Sequence, residues 1–182
     1  MRKRLYKNKY RTQSLRLPGW DYKSGSYFVT ICTKNMRCWL GEVVGGEMRL
    51  NEFGEIVRQE ILKTPKIRPN VKLVDWVIMP NHVHFILFID KVETSRRDVS
   101  TRTLKPNTLG SIVNQIKMIC TKRIHKINSN LKWQFGYFEK IIKSKSMYEM
   151  VKKYVQENPM NWKRDRKNPK NIKKQKEKTR KK

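Results

Sequence analysis

The chain has 182 residues, enough to bury a core without disulfides or a structural metal. Its 43 Lys and Arg face 15 Asp and Glu, a net charge of +28. Self-repulsion of that size disfavours a compact state unless a polyanion neutralises it, which makes nucleic acid the leading partner. The longest apolar runs are of strand length, too short to span a membrane, and the N-terminus lacks the apolar segment of a signal peptide. Cys32, Cys38 and Cys120 form neither a CxxC motif nor an even framework, so reduced thiols and a cytoplasmic location are expected. The charge is uneven. Residues 1–16 carry +7 and residues 163–182 carry +10, which leaves +11 for the body between them. Both ends are too poor in apolar residues to fold alone, so basic, disordered arms are expected at 1–16 and 163–182, with one domain at 17–162.

In chain order, "SYFVTICT" (26–33) is β-branched and aromatic and predicts a strand. "CWLGEVVGGEMRLN" centres on Gly45-Gly46 and predicts a hairpin. "NEFGEIVRQEILKTP" (51–65) spaces Phe53, Ile56, Val57, Glu60 and Ile61 as a helix, with Asn51 as N-cap and Pro65 past its end. "VKLVDWVIM" and "HVHFILFI" are two strands joined by a tight turn at Met79, Pro80 and Asn81. Residues 91–105 are polar and aperiodic, a flexible loop. "TLGSIVNQIKMICTKRIHKI" is a long helix, "WQFGYFEKIIK" (133–143) a strand, and "SMYEMVKKYVQENP" (146–159) a helix opened by Ser146, with Glu149 at the capping-box position. Setting the hairpin aside, the order is strand, helix, strand, strand, helix, strand. That predicts an α+β fold of the ferredoxin-like split βαβ kind: an antiparallel sheet with helices on one face, plus an appended helix.

Two of the three histidines, His82 and His84, lie one residue apart in the second of these paired strands. Residues two apart on a strand share a face about 7 Å apart, so the two imidazoles can chelate one divalent ion. The alternative is a pair of polar positions on a solvated face. The next residues on that face, Ile86 and Phe88, argue against solvation, and an unpartnered imidazole beside apolar neighbours is costly. His125 lies in a basic helical segment and reads as a surface or DNA-facing residue. Four residues apart on the last helix, Tyr154 and Asn158 share a face. Asn158 offers a hard, neutral amide oxygen suited to Mg²⁺ or Mn²⁺, and Tyr154 a hydroxyl of pKa ~10. Read singly, Tyr154 fits a core aromatic and Asn158 a C-cap before Pro159.

Together, "MPNHVH", "WQFGYFEKII", "YVQENP" and "NW", with "GSYFVTICTKN" and "LNEFGEIV" upstream, resemble the single-tyrosine HUH transposases, most closely their REP-associated branch. The resemblance covers roughly residues 17–162. It implies an HUH fold in which His82, His84 and Asn158 bind a divalent metal, Mg²⁺ or Mn²⁺, and Tyr154 is the nucleophile. Other branches more often carry Gln where this chain has Asn158. Lys143 stands where the family often has an Arg closing the strand, keeping the charge but losing the bidentate fork. The implied activity is cleavage and rejoining of single-stranded DNA bearing a hairpin, through a 5′-phosphotyrosine intermediate, by a monomer or homodimer. For DNA contact, Trp133, Phe135, Tyr137 and Lys140 suggest base stacking, although sheet core is the competing reading for the aromatics. Lys117, Lys122, Arg123 and Lys143 suggest phosphate contacts, with a solvated helix face as the alternative for those on the long helix. Two other functions stay open: a non-catalytic, RRM-like binder of single strands, which would lack a covalent product, and a hydrolytic nuclease, whose cleavage would survive loss of Tyr154.

Overall fold

The computed structural model describes residues 17, 19–91 and 107–172. Four strands form one antiparallel sheet in the order β4-β5-β1-β6. They are β1 (Gly25–Cys32), β4 (Val71–Met79), β5 (His82–Ile89) and β6 (Phe138–Ile142). β5 lies between β1 and β4, and β1 between β5 and β6, so each helix-linked strand pair is split by a third strand. This is the expected ferredoxin-like arrangement.

Alternation along β1 and β5 divides the sheet into two faces. Tyr27, Val29 and Ile31 with Val83, Phe85, Leu87 and Ile89 point to one face, where they are fully buried or nearly so. There they meet α1 (Glu52–Ile67) and α2 (Leu109–Ile124), whose buried stripes include Val57, Ile61, Ile112, Val113 and Ile116. Arg123 of α2 pairs with Glu60 and reaches Gln59 of α1, and Arg68 bonds Gln115 and Asn107. The two helices are thereby locked together over the core. Burial of this many large side chains, each contributing about 1.5–3 kcal/mol, is the main term holding the fold.

The other face carries Phe28, Thr30, His82, His84 and Ile86. α3 (Lys145–Glu157) covers part of it, with Val151 and Val155 buried against Phe28 and Ile86. The appended helix thus occupies the opposite layer from α1 and α2.

The expected hairpin is present as β2 (Gly41–Val44) paired with β3 (Glu47–Leu50). Gly45 and Gly46 both take positive φ, +61° and +87°, as a two-residue turn between twisted strands requires. Asn51 caps α1 by accepting from Gly54 N at 3.0 Å.

Several boundaries differ from expectation. α1 runs through Pro65 to Ile67. Proline there deletes one hydrogen bond in the last turn, a small loss against the packing of Ile61 and Thr64 on the core. The strand expected over 133–143 is limited to Phe138–Ile142. Trp133 makes only an isolated bridge to Thr33, and Gly136 turns the chain at φ +69°. Lys117 Nζ donates to the carbonyls of Gln134 and Gly136, at 2.6 and 2.8 Å, so these acceptors have no need of a strand partner. Ser144, not Ser146, caps α3, accepting from Met147 N at 3.2 Å. Glu149 consequently lies beyond the capping-box position.

The expected arm over 163–182 is also structured over its first ten residues. Trp162–Arg164 forms a 3-10 turn, and Asn168 is buried with its amide on the Trp162 carbonyl. Residues 1–16 and 173–182, and all of the expected loop beyond Lys91, lie outside the described residues.

Candidate active site

The histidine pair opens β5, immediately after the Pro80-Asn81 turn. Both side chains lie on the α3 face of the sheet, with ring centroids 4.6 Å apart and exposures of 0% and 1%. Each ring is oriented by a neighbour. Asn81 Oδ1 lies 2.7 Å from His82 Nδ1. The Asn81 amide nitrogen already donates to the Met36 and Lys167 carbonyls, so its oxygen faces the ring as an acceptor. His82 must therefore carry its proton on Nδ1, which leaves the Nε2 lone pair free to bind a cation. For His84, Nδ1 meets Thr30 Oγ1 at 2.8 Å across the β1–β5 pairing.

α3 brings the second pair of residues. Its stripe of Tyr148, Val151 and Val155 lies on the sheet, and the same periodicity places Tyr154 and Asn158 beside the histidines. Tyr154 Oη is 3.4 Å from His84 Nε2, and the phenol ring stands edge-on to both His84 and Phe28. Asn158 is the C-cap of α3 and is also 3% exposed, so its cap position and its buried side chain coexist. All four residues singled out in the sequence as nucleophile and metal ligands therefore meet at one place.

The electrostatics suit an electron-poor guest. Burial, then the nearby Lys167 charge, lowers the His82 pKa to about 3; burial and then His82 hold His84 well below the usual histidine range. Both rings are neutral at physiological pH, the state in which imidazole binds a metal. Burial raises the Tyr154 pKa, while a hydrogen bond from Asn158 opposes the rise. His82 Nε2 and Asn158 Oδ1 are both buried without a hydrogen-bond partner. These two acceptors, close enough for Asn158 to raise the His82 proton affinity against the effect of burial, fit a shared cation, because each would otherwise carry an uncompensated desolvation cost. The donor set is two imidazoles and an amide oxygen; among the described residues no group of three or more His, Cys, Asp or Glu gathers as a metal cluster.

Three residues escaped the sequence reading. Asn81 and Thr30 orient the imidazoles, and Asp165, with its Oδ2 3.7 Å from His82 Nε2, adds a carboxylate at the edge of the site. Asn81 stood within a motif already singled out. Asp165 lies in a basic stretch that carries no local signal.

The expected DNA contacts separate. Lys140 is exposed on β6, on the same face as the histidines, opposite Phe28 of β1. Lys122 is exposed on α2, in the other layer. Arg123 is committed to Glu60 and Gln59, and Lys117 to the loop carbonyls, so both serve the fold where phosphate contact was expected. Trp133 and Tyr137 are half-buried, packed against the α1–α2 core. Lys143 lies at the far end of β6 from the histidines, with its Nζ 5.5 Å from the Trp20 ring centroid. His125 Nε2 donates to the Leu131 carbonyl at 2.7 Å, beyond the end of α2. The cysteines are free, and burial pushes the Cys120 thiol up to about 12. No described helix is long and apolar enough to cross a membrane.

No family model matches the chain. An uncharacterized protein of Haemophilus influenzae is 35% identical over 164 residues, covering 84% of this chain and 91% of that one. A REP-associated tyrosine transposase, solved bound to a REP hairpin, superposes with a TM-score of 0.56 at 20% identity. That match covers 81% of this chain and 74% of the solved one. The chain thus belongs to one family with the Haemophilus influenzae protein, and its fold is that of the REP-associated tyrosine transposases.

Proposed function

We propose that this protein is a single-strand DNA transposase that cleaves and rejoins hairpin-bearing DNA through Tyr154. The observation that carries the proposal is the Tyr154 hydroxyl 3.4 Å from an imidazole of a buried, neutral histidine pair, beside two orphaned acceptor atoms. His82, His84 and Asn158 would hold Mg²⁺ or Mn²⁺, which supplies charge neutralisation and orientation of the scissile phosphate. Tyr154 stands on a helix packed against the sheet, so its approach to that phosphate is set by Val151 and Val155 rather than by a mobile loop.

In the step assigned to it, a Tyr154 Oη–P bond forms and the P–O3′ bond breaks. The phenolic proton is lost and the leaving 3′-oxygen takes one up. The product is a 5′-phosphotyrosine and a free 3′-hydroxyl, and the retained ester energy lets rejoining proceed without ATP. Tyr154 is 44% exposed, so DNA can reach it from solvent.

Single-stranded DNA with a hairpin is the substrate this reading favours, because the fold matches that of a transposase solved on such a hairpin. The net charge of +28 supports a polyanionic partner, and a cytoplasmic, chromosome-associated role goes with it. The test is incubation with a panel of hairpin-bearing single strands and Mn²⁺, scored by denaturing gel. A protein-linked, protease-sensitive band is expected. Cleavage without such a band, persisting in Tyr154→Phe, would assign a hydrolytic nuclease instead.

A further inference from the structure

Register places an exposed aromatic on the face that carries the histidines. Thr30 of β1 is opposite His84 on β5 and opposite Phe138 on β6. Directly opposed residues in antiparallel strands point to the same side, so His84, Thr30 and Phe138 form one row across the sheet. Two interstrand spacings put Phe138 about 10 Å from His84 along the row. Phe138 is 53% exposed, and Phe135, three residues earlier, is fully exposed. Lys140, also exposed, continues the same face one step further along β6.

The loop beneath Phe135 is built rather than slack. Gln134 N donates to the Cys32 carbonyl at 2.8 Å, Lys117 Nζ clamps the carbonyls on either side of Phe135, and Gly136 supplies the left-handed turn. A phenylalanine held rigidly in water is unfavourable unless something covers it. β6 is also an edge strand, where exposed apolar side chains invite association.

We propose that Phe138, with Phe135 and Lys140, is a stacking platform for unpaired bases flanking the cleaved phosphate. Its occupant is single-stranded DNA: a π-face accepts any base, Lys140 supplies a phosphate partner beside it, and the strongly basic chain repels a second copy of itself. The platform deepens the transposase reading and rests on it only for the location of the phosphate.

The test measures binding without cleavage, in the Tyr154→Phe background. The probes are a fluorescein-labelled oligothymidine of about 20 nucleotides carrying one 2-aminopurine, longer than a typical single-strand site, and a blunt duplex of about 20 base pairs. Phe138→Ala and Phe135→Ala should each weaken single-strand binding roughly tenfold and relieve 2-aminopurine quenching, with the duplex little affected. Phe138→Leu, which keeps apolar bulk without a π-face, should behave like alanine, and Phe138→Trp should restore affinity. Equal loss on both probes, or no loss on the single strand, overturns the platform. So does sedimentation showing that Phe138→Ala splits a dimer, because β6 is then a subunit interface. A wild-type protein that never forms an adduct, yet loses single-strand binding in these variants, would retain the platform and lose the cleavage reading.

Discussion

The two faces of the sheet are built from the same strands and do different things. On the α1–α2 side every inward position of β5 is apolar, and the helices seal the layer with Arg123–Glu60 and Arg68–Gln115. On the α3 side the same strand presents His82, His84 and then Ile86, and α3 covers only part of the surface. The first face keeps its ion pair and its arginine–amide bonds at the helix seam, away from the apolar centre. The second leaves His82 Nε2 and Asn158 Oδ1 buried and unsatisfied. Orphaned acceptors destabilise a fold, and two of them beside a pair of neutral imidazoles form a donor set that a cation would satisfy.

That comparison can be broken at several points. The largest effect should come from the open face: Tyr154→Phe is expected to eliminate the covalent DNA adduct while DNA affinity stays within about twofold, since a single hydroxyl carries little of a charge-dominated binding energy. Filter binding and a denaturing gel on the same samples check both halves.

On the sealed face, Phe85→Ala should cost about 3–5 kcal/mol in urea unfolding, through the cavity it leaves. The same measurement on His82→Ala, in the absence of metal, should show a smaller loss, because removing the unsatisfied Nε2 offsets part of the lost packing. A large loss there would mean that the histidines serve the core.

Asn81→Ala removes the group that fixes the His82 tautomer. Mn²⁺ affinity, read by electron paramagnetic resonance with no DNA present, should fall about 10–100-fold, while His82→Ala abolishes it. Unchanged Mn²⁺ affinity in Asn81→Ala would separate the ring's orientation from its use.

Acid should act through the open face as well. The folded histidines bind protons less readily than the unfolded chain, His82 only near about 3. Stability is therefore complete above the unfolded pKa of ~6.5 and falls as pH drops below it toward 3, by up to ~1.4 kcal/mol per pH unit for each histidine. Urea midpoints between pH 7 and pH 4, taken in EDTA, should show this slope in the wild type and a shallower one in His82→Gln. The smallest effect is assigned to Lys122 on the sealed side: Lys122→Ala should change the salt dependence of DNA binding by less than one phosphate contact, whereas Lys140→Ala should lower the slope by about one.

Much of this was legible in the residues. The alternation of "HVHFILFI" put both histidines on one face, the spacing of Tyr154 and Asn158 put both on one side of a helix, and the order of elements gave the split βαβ plan. Local periodicity carries that information because it is set within a few residues. The aromatic segment 133–143 shows where it runs out. Trp133, Phe135, Tyr137 and Phe138 look alike in sequence, yet two are packed on the core and two face solvent. The difference arises from Gly136 and from Lys117, a residue of α2 that reaches across seventeen and nineteen positions to hold the loop.

The sequence by itself determined the basic character, the elements and the shared faces of His82 with His84 and of Tyr154 with Asn158, since composition and local spacing suffice for those. Only the tertiary structure decided which lysines and arginines are free. A cation's availability depends on partners distant in the chain, as Arg123 found in Glu60 and Lys117 in the 134–136 loop. It also brought Asp165 from a stretch that reads as tail to within 3.7 Å of His82, because the side-chain amides of Asn81 and Asn168 donate to the Lys167 and Trp162 carbonyls, contacts that no local spacing announces.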